Sequence, residues 1–268
     1  MKFSIGRGLM LVLVVLAGRL SATGSTKANP PLPDAAAVMR KVVDKAKAEA
    51  PSYCYQKRSR NEEFDASGKV TSRKEQTYEV FPIQGVPYSR LVKIESRALT
   101  EKEQREQARK EEEFRKSLAG DPQGQVSKTN QSGLDPALVD HFNFQVVARD
   151  TNGSRPSLVL AFRPKPAGNS EKTVTDRVLN RLAGTLWVDE ADSEITRLKV
   201  HLVDELSLGW FGMVGAVKQL DFELEEGRMP AGDWVVKRQA LTLRGRKVLS
   251  AMRHRTIDEF SNFRKAED

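Results

Sequence analysis

The sequence predicts a mainly β protein with helices (α+β), built on an antiparallel sheet with one apolar and one wet face. Three observations carry this. From Gly184 to Phe263 the chain reads as antiparallel strands, interrupted once at Leu206–Ala216, and within them it alternates: Thr196, Leu198, Val200 and Leu202 point one way, and Arg197, Lys199 and His201 the other. Leu220, Phe222 and Leu224 repeat the pattern between Gln219, Asp221, Glu223 and Glu225, which is the period of a half-buried strand. Turn signals such as Asp65-Ala-Ser-Gly68 and Asn152-Gly153 separate strand-like runs. Finally, an apolar stripe at helical spacing follows Asp34 and needs a surface to lie on.

The first 24 residues read as an export signal. Lys2 and Arg7 precede the apolar run from Leu9 to Ala17, and Ala22-Thr-Gly24 offers a small-residue cleavage site. The run is shorter than the roughly 20 residues that span a bilayer, and Arg19 interrupts it. An uncleaved anchor is the alternative. After cleavage the protein is expected to be soluble, periplasmic and not membrane-spanning. Residues 25–33 form a flexible, proline-rich leader, and residues 34–263 a single domain.

Asp34 is placed to cap a helix carrying Val38, Met39, Val42, Val43 and Ala46, which Pro51 ends. Tyr53 to Arg60 and Val70 to Phe81 form a charged hairpin. Gly85-Val-Pro87 is read as a turn before a strand with Tyr88, Arg90, Val92 and Ile94 on one side. Residues 100–119 change character: Thr100 with Glu103 is a capping-box pattern, and the helix that follows is laced with opposite charges at i,i+3 and i,i+4. Only Phe114 and Leu118 can dock it, and Gly120 is placed to stop it. Asp135-Pro136 opens a short helical turn, Phe142, Phe144 and Val146 alternate into a strand, and Ser157 to Phe162 is its apolar partner. Ser170 is read as the cap of a further helix with Val174, Val178, Leu179 and Leu182, ended by Gly184. The strands Gly184–Val188, Glu194–Val203, Val217–Glu225, Asp233–Leu243 and Arg246–Ile257 follow. Their turns fall at Asp189–Ser193, Gly227–Gly232 and Arg244-Gly245, and a polar tail begins at Phe260.

Composition limits the chemistry. Of the 268 residues, 39% are hydrophobic, enough for a sizeable core. The formal charge is +8, or +5 beyond residue 24, and the basic residues are mixed with acids rather than clustered, so no nucleic-acid partner is indicated. Cys54 is the sole cysteine, which excludes an intramolecular disulfide and a cysteine zinc cluster. His141, His201 and His254 lack metal-ligand spacing, and no cofactor, phosphate-loop or nucleophile-elbow motif is present. Asp189, Glu190, Asp192 and Glu194 cluster, but in a hairpin turn, where acids serve local hydrogen bonds. Nothing points to an enzyme.

The segment Leu206 to Ala216 sets Trp210, Phe211, Met213 and Val214 among Gly209, Gly212 and Gly215. The readings are an adaptable apolar lip or gate over a cavity, a membrane-touching tip, or a glycine-bent strand that closes the core.

Several runs also resemble uncharacterised exported bacterial proteins related to the LolA/LolB lipoprotein-carrier superfamily. They are Tyr78-Glu-Val-Phe81, Pro87-Tyr-Ser-Arg-Leu91, Phe162-Arg-Pro-Lys-Pro166, Leu182-Ala-Gly-Thr-Leu-Trp-Val-Asp189 and Ile195-Thr-Arg-Leu198. The resemblance implies an unclosed antiparallel β-barrel with helices covering its concave face, and a cavity that holds acyl chains. The helix at 100–119 departs from the carrier pattern. The expected function is that of a non-enzymatic carrier-like protein for a lipid acyl chain or lipoprotein, without a cofactor. Leu198, Val200, Leu202, Leu220, Phe222 and Leu224 would line its cavity, and Trp210, Phe211 and Met213 would gate it. The alternative is an interaction module, an envelope-stress sensor or assembly scaffold, that engages an envelope protein with no lipid bound.

Overall fold

The computed structural model describes residues 30–46, 52–120, 136–152, 155–166, 173–208, 215–247 and 250–266. The proposed signal and its cleavage site lie outside them. The chain divides into two compact units, Met1–Pro31 and Leu32–Asp268, and every element below belongs to the second.

Helix α1 (Ala35–Ala46) starts where Asp34 accepts a hydrogen bond from the Ala37 amide at 2.9 Å. The strands are β1 (Tyr53–Phe64), β2 (Val70–Ile83), β3 (Val86–Ile94), β4 (Arg97–Ala98), β5 (Phe142–Asn152), β6 (Arg155–Pro164), β7 (Leu182–Asp189), β8 (Ile195–Leu202), β9 (Leu206–Leu208), β10 (Gly215–Arg228), β11 (Trp234–Lys247) and β12 (Ser250–Lys265). Helix α2 (Glu101–Gly120) sits between β4 and β5, followed by α3 (Pro136–His141), and α4 (Val174–Leu179) links β6 to β7. All pairings are antiparallel, in the order β4-β3-β2-β1-β12-β11-β10-β8-β7-β6-β5, with β9 added to β10. The last strand therefore pairs with the first in mid-sheet. The end strands β4 and β5 do not pair with each other, so the sheet is an unclosed barrel.

Register carries one face across the whole sheet. One row runs Val146, Leu160, Leu186, Leu198, Leu224, Gln239, Asp258, Ser59, Gln76. The next runs Phe144, Phe162, Gly184, Val200, Phe222, Leu241, Thr256, Asn61, Lys74. α1 packs on the apolar end of these rows: Val38, Met39 and Val42 are buried against Val146, Leu158, Leu160, Phe162, Leu186 and Val188. We call this the inner face.

Helix α2 does not share it. Tyr55 pairs with Val80 and Lys57 with Tyr78 on the inner face, so Phe81 and Ile83 stand on the outer one. There Phe114 and Leu118 of α2 pack with Phe81, Ile83, Val86 and Tyr88. These are the two apolar side chains that the sequence offers for docking. α2 also shields an edge: β4 reaches only Lys93 and Ile94 of β3, and the Leu91 amide donates to Gln107 Oε1 at 3.4 Å. Covering such an edge blocks pairing with another chain. The Thr100–Glu103 capping box forms in both directions, at 2.8 and 3.4 Å.

Several elements differ from the sequence reading. The turn after β2 is Gln84-Gly85, both at positive φ (51° and 79°), so Val86 and Pro87 already belong to β3. Ser170 lies outside the described residues. The cap of α4 is Thr173, in a reciprocal box with Asp176, and Leu182 and Gly184 lie in β7. Gly184 serves a close approach rather than a helix end: a Cβ there would stand 2.0 Å from the Lys199 carbonyl oxygen and 2.7 Å from the Phe162 ring. Arg244-Gly245 is not a turn either. Gly245 faces a bulge in β10, where a Cβ would meet the Ala216 carbonyl at 2.1 Å, and β11 runs on to Lys247. Thr196 is the bulged residue opposite Trp187 and Val188, so Ile195 takes the apolar position. The polar tail is strand: β12 continues to Lys265, with Phe260 and Phe263 against Tyr55 at 5.8 and 5.3 Å.

Candidate functional site

The inner face changes character midway. From β5 to β10 both rows are apolar, and from Gln239 and Thr256 onward they are polar. The six residues expected to line a cavity all fall in the apolar half, on adjacent strands β8 and β10. Leu198 and Val200 touch the cluster under α1. Leu202, Leu220, Phe222 and Leu224 continue the apolar surface beyond that cluster and are only partly buried. An aromatic wall of Phe142, Phe144 and Phe162, with centroids 5.2 to 6.4 Å apart, closes the β5–β6 side.

The polar half holds residues that the sequence reading did not single out. Gln239 Nε2 donates to Asp258 Oδ2 at 2.9 Å, and the Thr256 hydroxyl donates to Asn61 Oδ1 at 2.8 Å. His254 Nε2 lies 2.9 Å from the Thr256 hydroxyl oxygen. Asp258 is buried, and its Oδ1 has no hydrogen-bond partner among the described residues. Burial raises the Tyr78 hydroxyl pKa, and the Asp258 charge adds to it. Lys57 lies 4.9 Å from the Tyr78 ring centroid. The signal for this half was Thr256 and Asp258 alternating within β12.

Carboxyls mark the end of β10. Burial pushes Glu226 up to about 8, and the neighbouring Glu194 charge adds to the shift. Glu194 is itself raised by burial, against the opposing pull of Lys45 on α1. The acidic turn is structural, as its position in a hairpin suggested. Asp189 is 1% exposed, takes a bidentate Arg155 at 2.5 and 2.6 Å, and accepts the Ala191 and Asp192 amides. The Arg155 guanidinium holds its carboxyl below the usual range.

The histidines stay apart in role: His141 meets Asn180 at 2.7 Å, His254 joins the polar half, and His201 is exposed on the outer face. Among the described residues no group of three His, Cys, Asp or Glu is placed to hold a metal ion. Cys54 is a partly buried free thiol paired across strands with Arg264. The Leu206–Ala216 segment is a hairpin at its base, with Leu206 and Ala216 buried and β9 paired to β10. Trp210, Phe211 and Met213 fall in 209–214, outside the described residues.

These features define an unclosed antiparallel barrel with a helix on the apolar half of its inner face. No family model and no curated protein matches the chain. Solved structures do. A putative outer-membrane lipoprotein-sorting protein domain from Vibrio parahaemolyticus is similar at 10% identity and a TM-score of 0.38, over 85% of this chain and 91% of that one. A LolA-superfamily protein from Nitrosomonas europaea is similar at 10% identity and a TM-score of 0.32, over 88% and 95%. MucB, solved in complex with periplasmic MucA, is similar at 9% identity and a TM-score of 0.24, over 88% and 100%. Lipoprotein-sorting and LolA-superfamily proteins, the group that the sequence runs resemble, are thus among the structures similar to this chain. The fold itself is argued from strand order and register.

Proposed function

We propose that the chain is a non-enzymatic, exported protein of the cell envelope that binds a lipid acyl chain, free or attached to a lipoprotein, on its inner face. One observation carries the reading. Leu198, Val200, Leu202, Leu220, Phe222 and Leu224 share one face of neighbouring strands, and they are left partly exposed beside a core that α1 already covers. A contiguous apolar surface left open to water marks a binding site. Each acyl methylene buried there contributes about 0.8 kcal/mol. Trp210, Phe211 and Met213, in the segment before β10, would gate it. Among the described residues no helix is long and apolar enough to cross a membrane.

A second reading, a protein-interaction module, draws on α2. That helix docks its apolar side chains Phe114 and Leu118 and carries exposed charges such as Arg105 and Glu101 that a partner could engage. Native mass spectrometry with lipid extraction, on protein purified from the periplasm, separates the two. Co-purified phospholipid or acylated peptide, displaced by a fluorescent fatty acid, is the expected result. A bare protein that also refuses the probe would overturn the lipid reading in favour of α2.

A further inference from the structure

A cavity of about 750 Å³ lies outside the inner-face site, at the end of the sheet where β6 and β8 finish. Its basic groups come from different strands. Arg163 is on β6, Lys165 follows two residues later on the same side, and His201 is on β8. Between them runs β7, whose outer-face residues here are Ala183 and Thr185, while Ala161 of β6 pairs with Thr185. These small residues form a low floor, and the cations stand on either side. Two strand spacings separate β6 from β8, about 10 Å. That is room for a tetrahedral anion with long side chains closing on it.

The electrostatics favour an anion. Among the described residues no carboxylate lines the cavity. Arg163, Lys165 and His201 are exposed, and none has an ion-pair partner among the described residues. The nearest acids by register are engaged elsewhere: Asp221, opposite His201, accepts from Gln219, and Glu223, opposite Lys199, pairs with it at 3.4 Å. Some basic groups elsewhere on the outer face are matched, as in Arg58–Glu75 and Arg90–Glu79. The lining is also amphipathic. Pro164 and Pro166 are among the lining residues, and Val203 stands at the rim 46% exposed. An unpaired basic cluster beside an exposed apolar residue suits a phosphate that carries an apolar body.

We propose that this groove docks the phosphate headgroup of an anionic lipid at a membrane surface, with Arg163, Lys165 and His201 as its cationic contacts. The site is separate from the acyl trough, and its test stands apart from that reading.

The test is co-sedimentation of the full chain with phosphatidylglycerol vesicles at low salt, with phosphatidylcholine vesicles as the neutral comparison. Each basic side chain near an anionic surface contributes about fivefold in affinity, so Arg163→Gln with Lys165→Gln should weaken binding roughly 25-fold. Arg163→Glu with Lys165→Glu should weaken it further. The charge-matched pair Arg105→Glu with Lys116→Glu, on α2, should cost far less. Equal loss in the α2 pair, or no preference for phosphatidylglycerol, would overturn the proposal. So would inorganic phosphate binding seen by ³¹P line broadening, abolished by the glutamine pair, without vesicle binding: that assigns the groove to a free anion.

Discussion

Replacing Phe222 by aspartate tests the inner face most directly. Phe222 sits among apolar neighbours on four sides: Val200 and Leu241 flank it across strands, and Leu220 and Leu224 flank it along β10. A carboxylate there retains its water, and water held at that point excludes the acyl methylenes that would lie across it. Losing about four methylenes of contact removes about 3 kcal/mol, roughly 200-fold in Kd. Titration of a fluorescent fatty acid measures this directly. Phe222→Leu keeps the site apolar and should stay close to the parent affinity. Circular dichroism and thermal unfolding show whether each variant is folded, which matters because the ring is partly buried in the sheet. A folded Phe222→Asp protein that binds the probe within about threefold of the parent would refute both the magnitude and the placement.

Glu226 gives a pH prediction. Its carboxyl pKa rises from 4.5 unfolded to about 8 folded, so between those values the native state holds a proton that the unfolded state has released. Stability is then full below the lower value and falls as pH rises through the window, by at most about 1.4 kcal/mol per pH unit. Glu226→Gln should flatten the decline in Tm between pH 5 and 8.5, and an unchanged slope would refute the assignment. Gly184→Ala should be severely destabilising, because its Cβ would stand 2.0 Å from a backbone carbonyl oxygen that cannot move without breaking the β7–β8 register. A Tm within a few degrees of the parent would show that the strands have room to separate.

Most strands were legible because their alternation is local. Leu198, Val200, Leu220, Phe222 and Leu224 needed only the period of two to be placed on one face, and register then aligned them as pairs. The capping box at Thr100 and the docking of Phe114 and Leu118 were legible for the same reason. Errors arose where a residue's role is set by a neighbour distant in sequence. Gly184 and Gly245 looked like punctuation, because a glycine required by an approaching carbonyl is indistinguishable in sequence from one that ends a helix or makes a turn. The tail from Phe260 looked like loop because its polar residues gave no hint of β1, some 200 residues away, which supplies its hydrogen bonds. Not anticipating that pairing also hid the polar half of the inner face.

The closure of β12 on β1 bears on what the inner face can hold. It joins an apolar half, contributed by β5 to β10, to a polar half in which Gln239 donates to Asp258 and Thr256 to Asn61, with Asp258 Oδ1 buried and without a partner among the described residues. An extended apolar chain gains nothing by crossing that boundary. It would cover polar groups that lose water without gaining hydrogen bonds, and each such group costs about 1–3 kcal/mol, as much as several methylenes return. On the proposed reading, the boundary at Leu241 and Gln239 would favour an acyl chain lying in the stretch between α1 and β11. It leaves the polar half to whatever hydrogen-bonding group that chain is attached to. A ligand with an apolar chain and a polar head is therefore better matched to this face than a hydrocarbon of the same length.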